Sequence, residues 1–330
     1  MMFLGTNNFN NLRLYAHLFT PNETATFVGI LDEVQAELEL VVTSLENNNA
    51  SLAQSHAYKA ASLLTPRIMA EITEDNPRLT SDLLRALDQL RNVSSSESQL
   101  KSVSQLVNDL NNRLDQDSLV RLAQVQPTSS NPLEGALKSL TGIFGGSNTH
   151  DEADQNTKLQ ALAFANVIDG LLVNYGKAYN VGFDMTNMSN MVMTANNNSP
   201  ASMVMSNPVS GNNFGTSNMK MTSMNTSSNT MSMTNHGNGM NMGFKLANIS
   251  DYQSAQGLGT KAFEMFNTKL KHAIPSDDKN ATSFVTKLGT GLTHLNESIA
   301  TKASPLDVMM IVHTQVHPNL LEAFNLQLRK

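Results

Sequence analysis

The chain has 330 residues, enough for two ordinary domains or for one domain with disordered segments. Its net charge is −6 and it has no basic tract, which argues against nucleic acid as a partner because phosphate binding requires clustered Lys and Arg. It contains no cysteine, so disulfide frameworks, thiolate metal sites, iron–sulfur clusters and thiol catalysis are excluded. No apolar run reaches the roughly 18 residues needed to cross a bilayer, and we expect no transmembrane segment.

Residues 25–125 show the spacing of amphipathic helices. From Val28 onward, apolar residues recur at steps of three and four, which indicates one buried helix face. Pro66 is predicted to kink or end a second helix. The pair Asn76-Pro77 looks like a helix cap followed by proline in the first turn, and it predicts the start of another helix.

The rest of the chain divides by composition. We predict an N-terminal segment (1–24), a first helical half (25–125), a linker (126–150), a helix (151–180), a disordered insert (181–244) and a second helical half (245–330). No alternating run bounded by turn residues stands out, so no sheet is expected. The predicted fold is all-α: a helical bundle of duplicated αα-hairpins with a long disordered Met-, Asn- and Ser-rich insert.

The duplication is suggested by a gap-free match between residues 27–64 and residues 284–321. The match falls on several apolar positions and aligns His56 with His313. In each copy a helix, a short turn and a second helix would form an αα-hairpin. Either a hairpin is duplicated, or the match reflects the apolar stripe that any two amphipathic helices share. If the copies pack around a pseudo-twofold axis, the two histidines would approach each other and form a shared metal site.

Methionine is concentrated in the insert, which contains thirteen of the nineteen methionines in the chain at M-x-M and M-x-x-M spacings. They are Met185, Met188, Met191, Met193, Met203, Met205, Met219, Met221, Met224, Met231, Met233, Met240 and Met242. His236 is the one histidine among them. Core packing, the usual role of methionine, is not expected because the insert lacks Leu and Ile. Its few apolar groups cannot offset the ordering entropy of about sixty residues, so we predict disorder without metal.

The thioethers of these methionines are soft, neutral ligands that suit Cu(I) and are poor for Mg²⁺ or Ca²⁺. They need no deprotonation, so binding should persist at acidic pH. With His236, the insert could hold about three or four ions at three or four ligands each.

In composition the insert resembles the Met-rich segments of copper-binding and copper-resistance proteins. This resemblance implies Cu(I) as the bound ion and copper-donor or copper-acceptor proteins as partners. It does not extend to the flanking helices. The competing interpretation is a structural or protein-interaction scaffold in which the insert is a passive linker.

A second set of candidate metal ligands consists of His313, His317 and His56. The first two are four residues apart and would share one face of a continuous helix, a spacing that a metal can use. No Glu stands between them as in H-E-x-x-H, and Pro318 is expected to bias His317 away from helical geometry. The alternative is that they are two partly exposed polar histidines near a helix end.

No catalytic sequence motif is present: there is no G-x-S-x-G, Walker loop, G-x-G-x-x-G or EF-hand pattern. We therefore expect a protein without enzymatic activity that binds, sequesters or delivers Cu(I). Soft methionine sites without cysteine suit an oxidising or acidic compartment, so we expect an extracytoplasmic location, periplasmic or secreted. Residues 1–11 do not show the pattern of a secretory signal.

Overall fold

A computed structural model describes the chain over residues 22–94, 96–124, 150–187, 244–274 and 278–327. All regular structure in these ranges is helical, and they contain no strand, which confirms the predicted all-α class. The described residues on both sides of residues 188–243 belong to one compact unit. Residues 188–243, where we predicted disorder, lie outside the described residues, as does most of the predicted linker.

The described residues form ten α-helices, which we number in chain order. They are α1 (Glu23–Glu46), α2 (Ala50–Leu63), α3 (Pro66–Asp75), α4 (Pro77–Arg91), α5 (Glu97–Gln124), α6 (His150–Ala178), α7 (Ile249–Met265), α8 (Lys279–Ala300), α9 (Pro305–Ile311) and α10 (His317–Phe324). One π-helical turn, Phe266–Leu270, extends α7, and another, Val312–Val316, joins α9 to α10. No helix in the described ranges is long and apolar enough to cross a membrane.

Local sequence signals explain where several of these helices begin. The side chain of Asn22 accepts a hydrogen bond from the N–H of Ala25, and Asn49 and Asn76 cap α2 and α4 in the same way. Such caps satisfy N–H groups that have no partner inside the helix. Pro66 stands in the first turn of α3, where a missing N–H costs nothing. It therefore marks a helix boundary, one of the two outcomes that the sequence predicted.

The core lies between a central pair of helices, α6 and α7, and the helices packed around them. Helix α1 packs on both members of the pair, α8 packs on α7, and α10 packs on α8 and α6. Helices α2 and α5 pack on α1, with α4 against α2. The largest side chains that are fully buried include Phe27, Leu31, Phe164, Ile168 and Tyr175.

Two helical hairpins, α1–α2 and α8–α9, share the same turn. Asn48 and Lys302 both have a positive φ, of 56° and 57°. The next N–H in each turn, from Asn49 or Ala303, donates to the carbonyl of Ser44 or Ser298 at 2.8 and 2.9 Å. The structure thus aligns Asn48 with Lys302, whereas the gap-free sequence match aligned Leu45 with Lys302. The two hairpins exist, but the predicted register was wrong by three residues.

In the corrected register the buried faces of α1 and α8 coincide. Leu31, Val34, Leu38, Val41 and Leu45 correspond to Val285, Leu288, Leu292, Leu295 and Ile299, and all ten side chains are buried. The second helices both start directly after their caps, at Ala50 and Pro305. Counted from these starts, His56 corresponds to Ile311 and not to His313.

Candidate functional site

The two flanks of the Met-rich segment, by which we mean residues 188–243 of the insert, meet at the C-terminal end of α6. The carbonyl oxygen of Ala178 accepts hydrogen bonds from the N–H of Ala247 at 2.7 Å and of Asn248 at 3.0 Å. The side chain of Asn248 in turn caps α7, accepting from the N–H groups of Ser250 and Asp251. A carbonyl at the end of a helix has no partner inside the helix, so these bonds both satisfy α6 and fix the returning chain. The chain that returns from the segment is therefore bonded to the end of the helix that precedes it.

The outgoing flank is also ordered by side-chain hydrogen bonds. Asp184 accepts through Oδ1 from both the N–H and the hydroxyl of Thr186, at 2.9 and 2.7 Å. The N–H of Asn187 donates to the Asp184 carbonyl at 3.3 Å. This side-chain-stabilised turn orders residues 184–187. Residues 181–187 were predicted to belong to the disordered insert, and the structure corrects this: they are ordered.

Met185, the first of the predicted metal ligands, is part of the core. It is only 3% exposed, and its sulfur lies 3.1 Å from the position that a Cβ would take at Gly176. A methyl group of Val181 shares that contact with Gly176. The absence of a side chain at Gly176 leaves the space that the flexible thioether fills. The sequence-based assignment to the insert failed here because the spacing of Met185 is the same as that of the methionines that follow it.

The other predicted ligands of the insert lie outside the described residues. These are Met188, Met191, Met193, Met203, Met205, Met219, Met221, Met224, Met231, Met233, His236, Met240 and Met242. The described residues therefore fix the base of this segment and leave its metal ligation as a prediction.

His313 ties the outgoing flank to the π-helical turn. Its Nε2 lies 3.0 Å from the backbone oxygen of Met185, to which it donates, and its ring meets the edge of the His317 ring at a centroid distance of 5.2 Å. Burial lowers the pKa of His313, although the Met185 carbonyl acts against this shift. Burial, and next the charge of His313, lower the pKa of His317 to about 3. Both rings are therefore neutral at pH 7, the protonation state that a metal ligand requires.

His317 is fully buried and helical, with φ −59° and ψ −44°. The expectation that Pro318 would push it out of helical geometry was wrong, because Pro318 stands in the first turn of α10, where proline is tolerated. Nε2 of His317 lies 3.6 Å from Oδ1 of Asp169. The two histidines do share one face, as their spacing predicted, but one nitrogen of His313 is already bonded to the backbone.

His56 is also fully buried, between α1 and α7. Its Nδ1 lies 2.7 Å from Oε2 of Glu37, and its Nε2 lies 3.1 Å from Oε1 of Gln253. Both ring nitrogens are thus bonded to partners that His313 does not contact. The structure does not bring His56 and His313 together at a shared site. Within the described ranges, no group of three or more His, Cys, Asp or Glu side chains could hold a metal ion.

The returning flank is held by polar contacts between α2 and α7 that the sequence did not indicate. Nζ of Lys59 is bonded to Asp251 and, at 2.9 Å, to Oγ of Ser254. The hydroxyls of Ser55 and Ser250 lie 2.9 Å apart. These contacts join residues almost two hundred positions apart, so no local pattern could have found them. They fix the first turns of α7 directly after the segment rejoins the bundle.

The comparisons with known proteins place no further constraint on the site. No protein-family model, no curated protein and no solved structure matches this chain.

Proposed function

We propose that this protein binds Cu(I) through the methionine thioethers of residues 188–243 and sequesters it or delivers it to copper-acceptor proteins. The observation that supports this most directly is the clustering of twelve of the nineteen methionines in that segment, at M-x-M and M-x-x-M spacings. Two sulfurs at such spacings can converge on one ion, and a third can come from a neighbouring pair. In this proposal the protein is not an enzyme.

The ligand chemistry favours Cu(I) over harder ions. Thioether sulfur is soft and neutral, so it suits Cu(I) and competes poorly for Mg²⁺, Ca²⁺ or Zn²⁺. The chain contains no cysteine, so the sites use no thiolate and do not depend on deprotonation. Such sites keep their affinity in oxidising or acidic surroundings, which supports an extracytoplasmic location as part of the proposal.

The helical bundle has a supporting role in this proposal. The bonds from Ala247 and Asn248 to Ala178 join the chain before and after the segment, and His313 holds the outgoing flank through the backbone of Met185. Metal can then bind and leave within the segment while the bundle keeps its core. The bundle would present the segment to donor or acceptor proteins.

A Cu(I) titration against a competing chromophoric chelator tests the proposal. Three full-length proteins are compared: the native chain, a variant with the twelve methionines of 188–243 replaced by leucine, and a variant whose segment is a Gly/Ser sequence of equal length. We expect the native chain to bind about three or four ions and both variants to bind none through this segment. Equal copper uptake by the native chain and the variants would contradict the proposal and favour the scaffold with a passive linker.

A further inference from the structure

Asp117 in α5 is a buried carboxyl group that takes no part in holding the segment. The residue is 3% exposed, and its Oδ2 has no hydrogen-bond donor among the described residues. On α3, which packs on α5, the side chain of Asp75 is also 3% exposed. Oδ1 of Asp75 accepts from Nε2 of Gln124 at 3.0 Å, and its Oδ2 lies 3.6 Å from Nη1 of Arg121. A carboxylate without donors is costly to bury, whereas a protonated carboxyl is neutral.

Among the described residues Asp117 forms no ion pair, because the cations near it are bonded to other carboxylates. Arg121, one turn further along α5, donates to Oε2 of Glu71 at 2.6 Å and also faces Asp75. On α1, Glu23 pairs with Arg67 at 2.7 Å. Two further charged groups lie on helices packed nearby: Glu74 on α3 acts on Arg121, and Asp82 on α4 pairs with Arg78, Arg85 and Arg113. The charges that act on Asp117 itself are those of Asp75 and Arg121.

These surroundings determine the pH at which Asp117 loses its proton. Burial, and next the charge of Asp75, raise the pKa of Asp117 to about 6, against a smaller opposing effect of Arg121. Between roughly pH 4 and pH 6 the folded bundle therefore holds a proton that the unfolded chain has released. The stabilisation from this raised pKa is complete in acid and is lost as the pH rises through about 6.

We propose that Asp117 and Asp75 form an acid-favoured lock between α5 and α3. The proton on Asp117 removes a buried charge beside Asp75 and keeps the two helices packed. When that proton leaves near neutral pH, Asp117 becomes a buried carboxylate that the charge of Asp75 repels, and Arg121 is already bonded to Glu71. The packing of α3 on α5 then weakens. This regulation is independent of copper binding.

Denaturant unfolding of the full-length chain at pH 5 and pH 7.5 tests the lock. Asp117→Asn removes the titrating group with little change in shape, and Asp109→Asn is the matched control because Asp109 is an exposed aspartate of the same helix. We expect the unfolding equilibrium constant of the native chain to rise about tenfold more over this interval than that of Asp117→Asn. The Asp109→Asn variant should follow the native chain.

A second variant separates the carboxyl pair from a general effect of the substitution. Asp75→Asn removes the charge that helps to raise the pKa of Asp117, so the tenfold difference should shrink. The proposal is overturned if the native chain and Asp117→Asn show the same pH dependence, or if Asp117→Asn changes stability by the same factor at both pH values. A carbon-13 titration of the Asp117 carboxyl that shows ionisation near pH 4 would also overturn it.

Discussion

Met185 has a side chain of the type that binds soft metals, but it is used here as a core residue, and the two uses exclude each other. Its thioether fills the space above Gly176, and its carbonyl accepts from His313. Releasing it would cost about 1.5–3 kcal/mol of apolar burial and about 1 kcal/mol for the hydrogen bond. We infer that Met185 anchors the base of the segment and does not ligate metal.

Substitution at Met185 should therefore affect stability and not metal capacity. Met185→Ala should lower the free energy of unfolding by about 2–5 kcal/mol, because a cavity would open beside Gly176. Met185→Leu, which conserves volume, should cost less than about 1.5 kcal/mol and should bind the same number of Cu(I) ions as the native chain. Denaturant unfolding and a copper titration measure the two effects. A loss of bound copper in Met185→Leu would show that the thioether is a ligand after all.

Burial could be predicted from the sequence for apolar residues that recur at helical spacing. Leu31 and Leu38 lie in a stripe with helical spacing, and both are fully buried. The burial of Asp32 and Asp117 could not be predicted, because nothing beside them in the sequence shows that distant helices cover them. Asp32 is buried between Lys261 and Lys269, at 3.8 and 3.4 Å. Burial raises its pKa and outweighs the attraction of the two lysines.

At the scale of helices, the residues where a helix begins follow from local chemistry, whereas the alignment of one hairpin with the other does not. Capping asparagines and first-turn prolines mark where α2, α3 and α4 begin, and these signals are contiguous in the sequence. The match between the hairpins slipped by three residues because that is nearly one helical turn, which leaves an apolar stripe almost in phase. The slip paired His56 with His313. Only the shared turn at Asn48 and Lys302 fixes the register.

The crossing of α1 and α6 depends on a glycine. A Cβ at Gly29 would lie 2.8 Å from Cβ of Asn166 and 3.0 Å from the backbone oxygen of Ala163, neither of which is the end of a flexible side chain. Alanine normally stabilises a helix interior by roughly 1 kcal/mol relative to glycine. We predict the opposite sign for Gly29→Ala, a loss of about 1–3 kcal/mol, because the two helices would have to separate.

Denaturant unfolding of Gly29→Ala measures this loss, and Gly182→Ala is its control. A Cβ at Gly182 would meet nothing within 4 Å. The control should unfold within about 0.5 kcal/mol of the native chain, as is usual for surface positions. A stabilised Gly29→Ala variant would show that α1 and α6 can move apart without cost.

At the scale of the whole molecule, helices on both sides of the Met-rich segment belong to the same bundle. Helices α6 and α7 pack on each other as the central pair, although residues 188–243 separate them in the sequence. The described contacts between this pair come from residues before 188 and after 243. In topology the segment lies in the connection of an αα-hairpin, and Ala178 before it is bonded to Ala247 and Asn248 after it. We therefore expect that the core of the bundle does not require the segment.

Excision of the segment tests this separation of roles. If residues 188–243 are replaced by about eight Gly and Ser residues, the entropy cost of closing the connection falls by roughly 1.5–2 kcal/mol, because that cost grows only with the logarithm of loop length. The shortened chain should therefore keep its helical circular dichroism and unfold with an equal or slightly higher free energy, while it loses Cu(I) binding. Loss of cooperative unfolding would mean that the segment contributes to the core. A folded chain with undiminished copper binding would instead place the metal ligands on the bundle.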